Sequence, residues 1–429
     1  MTASQLRHLP SRPHCCGNWR TLVVFSGVLA IGCGRGEAGG ETTSMPLYVS
    51  PAEYDFSSTP GLLPRLVASP HAYFRFINRE FTQEVCQRYV YLGEHLPAVN
   101  LHGDAHLEQY AVTDSGRGLT DFDDSATGPA VVDLIRLGTS IFIAAEANGW
   151  TDQRDMFLLV FYDGVGAGVT DPERRPPPPV IVSRIRAGFS TDKLSLLAGM
   201  DSLMDPEAVD STRLEAGFDV YREAMFAQFP DLPETFFDGK RGGRLSAGVG
   251  SALDEKYLVR VEGPTDAQED DLFLEIKEVR DLSGVQCLDR RAGDVFKILT
   301  GQSRIAYQPY QYTGYIFLNP RRARESELGS DFWDGRTYWV HAWMDNYAEL
   351  SVDTSFATPA ELTEVLYDIG VQLGRGHPKD IALPYEFQLR RALTEWLEDH
   401  AAELGQAVEQ MYEETMAAWR RFAHEAEGG

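Results

Sequence analysis

Apolar and polar positions alternate in blocks along the chain, and the blocks predict helices and strands in a definite order. Tyr73, Phe74, Phe76, Ile77 and Phe81 are spaced for one apolar helical face, within a mixed helix-and-loop region over 51–98. Val99 to Leu101 and Tyr110 to Thr113 read as short strands, with a turn at Gly116 and Gly118. From Val131 onward, Leu134, Leu137, Ile141 and Ala145 recur at helical spacing, and helix continues over 156–165. The four prolines at 176–179 predict a stiff, extended connector. Helical periodicity returns around Leu194, Leu196, Leu203, Phe218, Tyr221 and Met225.

At Arg241 the pattern changes. RGGRLSAGVGSALDEKYLVRVEG predicts two strands joined by a glycine turn at Gly248, Gly250 and Ser251, and LFLEIKE over 272–278 predicts another strand. A helix-like run follows Arg291 with Asp294 in its first turn, and YWVHAWMDNY over 338–347 is an apolar strand running into a polar turn. Thr358-Pro359-Ala360-Glu361 forms a capping box with Pro at the first helical position, and Leu362, Leu366, Ile369 and Leu373 give that helix its apolar face. A final helix is expected over roughly 387–425, where Leu393, Trp396, Leu404, Val408, Met411 and Trp419 have core spacing and Gly405 is a candidate break.

The first residues stand outside this pattern. Arg7, Arg12 and Arg20 precede an eleven-residue, mostly apolar run at 21–31, too short to anchor stably across a bilayer and suited to a signal segment over 1–33. It ends in Leu29-Ala30-Ile31-Gly32-Cys33, similar to the lipobox of bacterial lipoprotein precursors, which makes Cys33 the candidate lipidation site; ordinary secretory cleavage is the alternative. A flexible tether is expected over 34–50. The expected location is extracytoplasmic, held to the membrane through the lipid alone.

Charge narrows the partners. The chain has 64 acidic and 39 basic residues, a formal net charge of −25. Loss of 1–33 would remove three arginines and no acid, leaving 36 basic residues against 64 acidic ones. This excess argues against nucleic acid and against peripheral binding to anionic lipid. Cys86 and Cys287 can pair in an oxidising compartment, and no cysteine spacing suits a metal. The length suggests two lobes or domains.

Candidate chemistry concentrates in LHGDAHLEQYAVTDSGRGLTDFDDSATGPAVVDLIRL, residues 101–137. Acids at the ends of adjacent short strands converge readily on a hard divalent cation. Asp104 and Asp121 follow apolar or β-prone lead-ins and are the leading candidates; Asp114 and Asp124 read as solvated turn residues.

This stretch resembles the H-G-D-x-x-x-x-N catalytic loop and following metal-binding Asp of aminoglycoside- and choline-kinase-like phosphotransferases. It resembles more closely an uncharacterised bacterial family with a kinase-like fold, domain of unknown function 2252, through GDAHLEQYAV, TDFDD, GPAVVDLIRL and, upstream, SPHAYFRF. The resemblance implies that Asp104, with His102 beside it, is catalytic, that Asp121, Gln109 and Asp123 hold magnesium, and that Asp133 braces the loop. Gln109 stands where the family has Asn, with the same amide oxygen on a longer arm. Arg75 matches a family Arg and is either a phosphate contact or half of a structural ion pair. Further on, GVGSALDE, EIKEV and GDVFKILTGQ are similar to the family's glycine turn, lysine strand and following helix. By that resemblance Gly248, Gly250, Ser251 and Lys277 bind the phosphates of ATP and Asp294 holds Lys277 in place; the 338–347 segment is either where the base slots against backbone or a core strand. His377 matches a family His.

The implied fold is α/β (α+β): a two-lobed, protein-kinase-like fold with a circularly permuted small lobe, because the glycine turn and Lys277 follow the HGD loop. Residues 51–235 would carry the catalytic loop and metal site, 236–350 the nucleotide lobe, and 351–429 a helical C-terminal part. The implied function is magnesium-dependent phosphoryl transfer from a nucleotide to a small hydroxyl-bearing molecule. Two alternatives stand beside it: a metal-dependent phosphoesterase using His102, Asp104 and His106, and a non-catalytic, ligand-binding lipoprotein.

Overall fold

A computed structural model describes residues 45–57, 59–205, 211–245, 254–317 and 337–428. The expected signal segment with Cys33, and the glycine turn at Gly248, Gly250 and Ser251, lie outside the described residues.

The architecture is mixed α+β. Helices α1 (Leu62–Ala68), α2 (Pro70–Phe76) and α3 (Asn78–Tyr89) precede four short strands, β1 (Val99–Leu101), β2 (Tyr110–Thr113), β3 (Arg117–Leu119) and β4 (Ala126–Gly128). Helices α4 (Val131–Ala147), α5 (Arg154–Thr170), α6 (Val180–Arg186), α7 (Lys193–Asp201) and α8 (Ser211–Gln228) follow, with β5 (Met204–Asp205) between the last two. Then come β6 (Gly239–Leu245), β7 (Lys256–Val261), β8 (Leu272–Glu278), α9 (Val295–Ile305), β9 (Gly314–Phe317), β10 (Thr337–Ala342) and β11 (Tyr347–Glu349). Two helices close the chain, α10 (Pro359–Gly376) and α11 (Glu386–Ala426).

The strands form three antiparallel sheets: β1 with β4, β11-β2-β3, and a larger one in the order β5-β6-β7-β8-β10-β9. Strand alternation decides what the large sheet presents on each side. Tyr257, Val259, Val261, Leu274, Ile276, Tyr338 and Val340 bury one face against Phe218, Tyr221 and Met225 of α8 and against Phe236 and Phe237. The intervening positions, Lys256, Glu275, Lys277 and His341, therefore point to the other face, where they line a cleft. The turn at 343–346 carries the chain from β10 in this sheet to β11 in the three-stranded one.

A larger core lies among the helices. Helix α4 is buried from Val131 through Ala145 because α2, α3, α5 and α11 pack around it. Helices α5 and α10 meet along a glycine seam. A Cβ on Gly164 or Gly168 would fall 2.5 or 2.3 Å from a carbonyl oxygen of α10, and one on Gly370 or Gly374 would fall 2.4 or 2.1 Å from a carbonyl of α5. Helix α11 runs unbroken through Gly405, because Leu404, Ala407 and Val408 on either side of it are buried in the core. Thr358 caps α10 as its sequence predicts, but Glu361 reaches back to the Ala357 amide rather than to that of Thr358.

One N-terminal expectation changes. Leu47 and Val49 are buried in the larger core, so the tether expected over 34–50 does not include 45–50. Cys86 and Cys287 are joined as a disulfide with their Cα atoms 5.4 Å apart. Among the described residues, no helix is long and apolar enough to cross a membrane.

Candidate functional site

The loop after β1 is shaped by one glycine and held by one aspartate. Gly103 has φ +83°, and a Cβ there would sit 1.9 Å from the Asp124 carbonyl oxygen, so the turn admits no side chain. Asp133, in the first turn of α4, accepts hydrogen bonds from the backbone amides of His102 (2.8 Å) and Gly103 (2.9 Å), the bracing the family resemblance implies for it. His377 Nε2 lies 3.0 Å from the same carboxylate. Asn78 Nδ2 donates to the Gly103 carbonyl at 3.1 Å and to Asp124 at 2.7 Å.

This bracing presents Asp104 to the cleft. Arg136, itself buried, donates Nε to Asp104 Oδ1 at 2.7 Å and lies 4.2 Å from the Phe74 ring centroid. Burial, which outweighs Arg136, raises the Asp104 carboxyl above its ordinary range, and Asp124 adds to the shift. Gln109 Nε2 is 3.5 Å from Asp104 Oδ2, while Gln109 Oε1 is buried without a hydrogen-bond partner. His102 does not reach the cleft. Its ring is fully buried, with Nε2 2.8 Å from the Thr120 carbonyl and Nδ1 accepting from the Asp104 amide at 3.3 Å, so it supports the loop behind Asp104.

The second acidic turn faces the same cleft. Asp121 has φ +57°, a left-handed backbone that Asp tolerates better than most residues. Lys277, from the large sheet, places its ammonium 2.6 Å from Asp121 Oδ1 and 2.5 Å from Asp123 Oδ2. Burial opposes the lysine's charge, but the two carboxylates outweigh it and hold the ammonium protonated. The two acids split. Although burial opposes it, Lys277 drives Asp121 well below the carboxylate range, whereas burial and the Asp121 charge push Asp123 well above it.

Asp294 has no part in this pairing. It stands just before α9, its side chain makes no capping bond, and the acids that hold Lys277 are Asp121 and Asp123. Asp124 is also not a solvated turn residue: it is buried, ion-paired with Arg280 at 2.8 Å and bonded to Asn78. Asp114 is exposed and accepts from Asn346. Arg75 is in an ion pair with Glu108 at 2.8 Å and also lines the cleft.

The cleft has a volume of about 390 Å³ and brings together Asp104, Gln109, Asp121, Asp123 and Lys277, with Trp343 and Met344 from the turn between the sheets and Tyr347 from β11. Three of its basic residues, Arg65 among them, escaped the sequence reading. Lys256 is paired in register with Lys277 on the adjacent strand, and Arg280 follows two residues after β8. Alternation in KYLVRV assigns Lys256 a face, but only the strand register sets it beside Lys277. Glu275, on the lysine face of β8, pairs with His341 at 3.1 Å.

Among the described residues, no group of three or more His, Cys, Asp or Glu side chains is arranged to hold a metal ion. The chemistry at the cleft nonetheless suits a hard cation. Gln109 Oε1 and Asp123 Oδ1 are buried oxygens without partners, next to the ionised Asp121. Of His102, Asp104 and His106, only Asp104 lines the cleft: His102 Nε2 lies against the Thr120 carbonyl, and the fully buried His106 has Nε2 3.7 Å from Asp104.

No curated protein and no solved structure matches this chain significantly. One family model does match, over residues 58–160, a stretch that includes Arg75, Asp104, Gln109, the TDFDD turn and Asp133 but not Lys277. By that match the first part of the described fold is similar to a family described as uncharacterized protein conserved in bacteria (DUF2252).

Proposed function

We propose that this protein is a kinase-like phosphotransferase, with a permuted two-lobed fold in which the large sheet covers the nucleotide and the helical core carries the catalytic loop. One observation carries the reading: Lys277, 156 residues beyond Asp121, reaches the Asp121–Asp123 pair in the cleft that also holds Asp104. Phosphoryl transfer relies mostly on positioning and charge stabilisation, and a lysine beside paired acids and a separate carboxylate supplies both. Asp104, with its raised pKa, would accept the proton of an acceptor hydroxyl. Lys277 would hold donor phosphates once it parts from its acids. Asp121, Asp123 and Gln109 would hold magnesium, which would neutralise charge on the donor phosphates.

The second reading is ligand binding without transfer. It is favoured by the ammonium of Lys277, which already engages both carboxylates that a cation would use. Thermal unfolding with and without Mg-ATP, combined with phosphate release, separates the readings. Transfer predicts a stabilised wild type, loss of that stabilisation in Asp121→Asn, and its retention with loss of turnover in Asp104→Asn. Stabilisation with no turnover in the wild type would leave binding alone. No response to any nucleotide with magnesium or manganese would remove both. The phosphoesterase alternative predicts that His106→Ala loses bound metal; we expect metal content to be unchanged.

We also propose an extracytoplasmic, lipid-anchored location. The Cys86–Cys287 disulfide supports an oxidising compartment, and the acidic body disfavours direct adhesion to anionic lipid. Cys33→Ser should release the protein from membranes or leave it unprocessed. A processed, fully membrane-bound Ser variant would exclude the anchor.

A further inference from the structure

A second cleft, of about 550 Å³, lies where the C-terminal ends of α9 and α10 meet the 172–175 turn, and it shares no residue with the Asp104 cleft. Five cations line it, Arg175, Arg304, Arg375, Lys379 and Arg390, against three acids, Glu173, Asp380 and Glu386.

Two of these cations are committed elsewhere. Arg390 bonds Glu386 at 2.7 Å and caps carbonyls of α5 and α10. Arg304 donates to Asn100 at 2.8 Å and lies 3.8 Å from Asp380. The other three have no acid in ion-pair range among the described residues. Arg375 donates Nε to the Pro172 carbonyl at 2.6 Å, and Lys379 donates to the Ser303 carbonyl at 3.1 Å. The guanidinium groups of Arg175 and Arg375 lie 5.2 and 5.4 Å from the centroid of the Tyr307 ring.

In a chain with 64 acids and 39 bases, a basic group finds an acid more easily than the reverse. Three neighbouring cations without one are therefore unusual here. All three are held by neutral groups, carbonyl oxygens and an aromatic face, rather than by a carboxylate. The pKa of Arg375 is lowered, first by burial and next by repulsion from Arg175, which together outweigh the opposing pull of Tyr307 and Glu173. Guanidinium forks suit planar or tetrahedral oxyanions, and a pre-positioned set loses little freedom on binding.

We propose that this cleft binds a small multivalent oxyanion, bearing phosphate or several carboxylates, through Arg175, Arg375 and Lys379. The test is isothermal titration calorimetry of the full chain at constant ionic strength without magnesium, using pyrophosphate in one arm and citrate in the other. Saturable one-site binding is expected for at least one probe, and the arm that binds identifies the oxyanion. Arg175→Gln/Lys379→Gln, which alters two exposed side chains, should weaken binding roughly tenfold or more. Lys277→Met, verified as folded by circular dichroism, should bind as the wild type does. Absence of saturable binding in both arms would overturn the site, as would unchanged binding by the double variant. Binding lost in Lys277→Met but kept in the double variant would place the anion in the Asp104 cleft and equally overturn it.

Discussion

A lone buried ammonium sheds its proton, so the charge on Lys277 depends on Asp121 and Asp123, and they depend on it. Removing one partner from such a pair exposes the cost of the charge left behind. Lys277→Met should lower stability by about 3–5 kcal/mol in urea unfolding; a loss under about 1 kcal/mol would mean the pair is solvated. Glu108 offers a pH test. Burial would raise its pKa, but His71 and Arg75 outweigh that and bring it to about 2. A depressed carboxyl stabilises the fold above its unfolded value and loses that contribution as pH falls towards the folded one. The wild type should therefore lose roughly 3 kcal/mol from this group between about pH 4.5 and 2. Glu108→Gln should lack that part of the acid dependence. Unfolding free energies of both proteins at pH 6 and pH 3 check this, and parallel losses would refute it. At this scale Asp104 and Asp121 stood out because each follows an apolar or β-prone lead-in, and Asp133 through the family resemblance. The burial of Asp124 was not, because its partner Arg280 lies 156 residues away.

Among the elements, the α5–α10 contact sets how the three-stranded sheet is supported. Asp368 and Gln372 of α10 bond Tyr110, Arg117 and the Leu119 amide. The glycine seam brings α10 close enough to α5 that a methyl group at Gly374 has no room. Gly374→Ala should destabilise by about 1–3 kcal/mol through overpacking. Gly166→Ala, in the same α5 helix but with only Leu397 near its Cβ, should be neutral or stabilise by up to about 1 kcal/mol. Thermal unfolding of the pair decides, and equal effects would dismiss the seam. The apolar periodicity of α10 and its cap were readable; the glycine seam was not read, since spacing reports a face and never the neighbour that covers it. Gly405 was misjudged for a related reason: one glycine weakens a helix by about 1 kcal/mol, which buried side chains on either side offset.

Across the whole molecule, the Cys86–Cys287 disulfide ties α3 to the connector between β8 and α9, over a sequence separation of 201 residues. Closing so long a loop in the unfolded chain corresponds to about 5 kcal/mol by the chain-entropy estimate, an upper value. Cys86→Ala/Cys287→Ala should lose about 2–5 kcal/mol against urea, and adding reductant to the variant should change nothing further. A variant as stable as the wild type would make the bridge dispensable.

The sequence by itself determined the local features: the order of helices and strands, the apolar faces of α4, α10 and α11, and the excess of acidic over basic residues. These depend on neighbours within a few residues, where periodicity and turn chemistry act directly. Tertiary structure alone decided who meets whom. Sequence analogy paired Lys277 with Asp294, seventeen residues on, whereas folding brought it to Asp121 and Asp123. The physical reason is that a charge takes whichever opposite charge packing delivers at contact distance. In a chain with this many acids, proximity in sequence says little about which one that is.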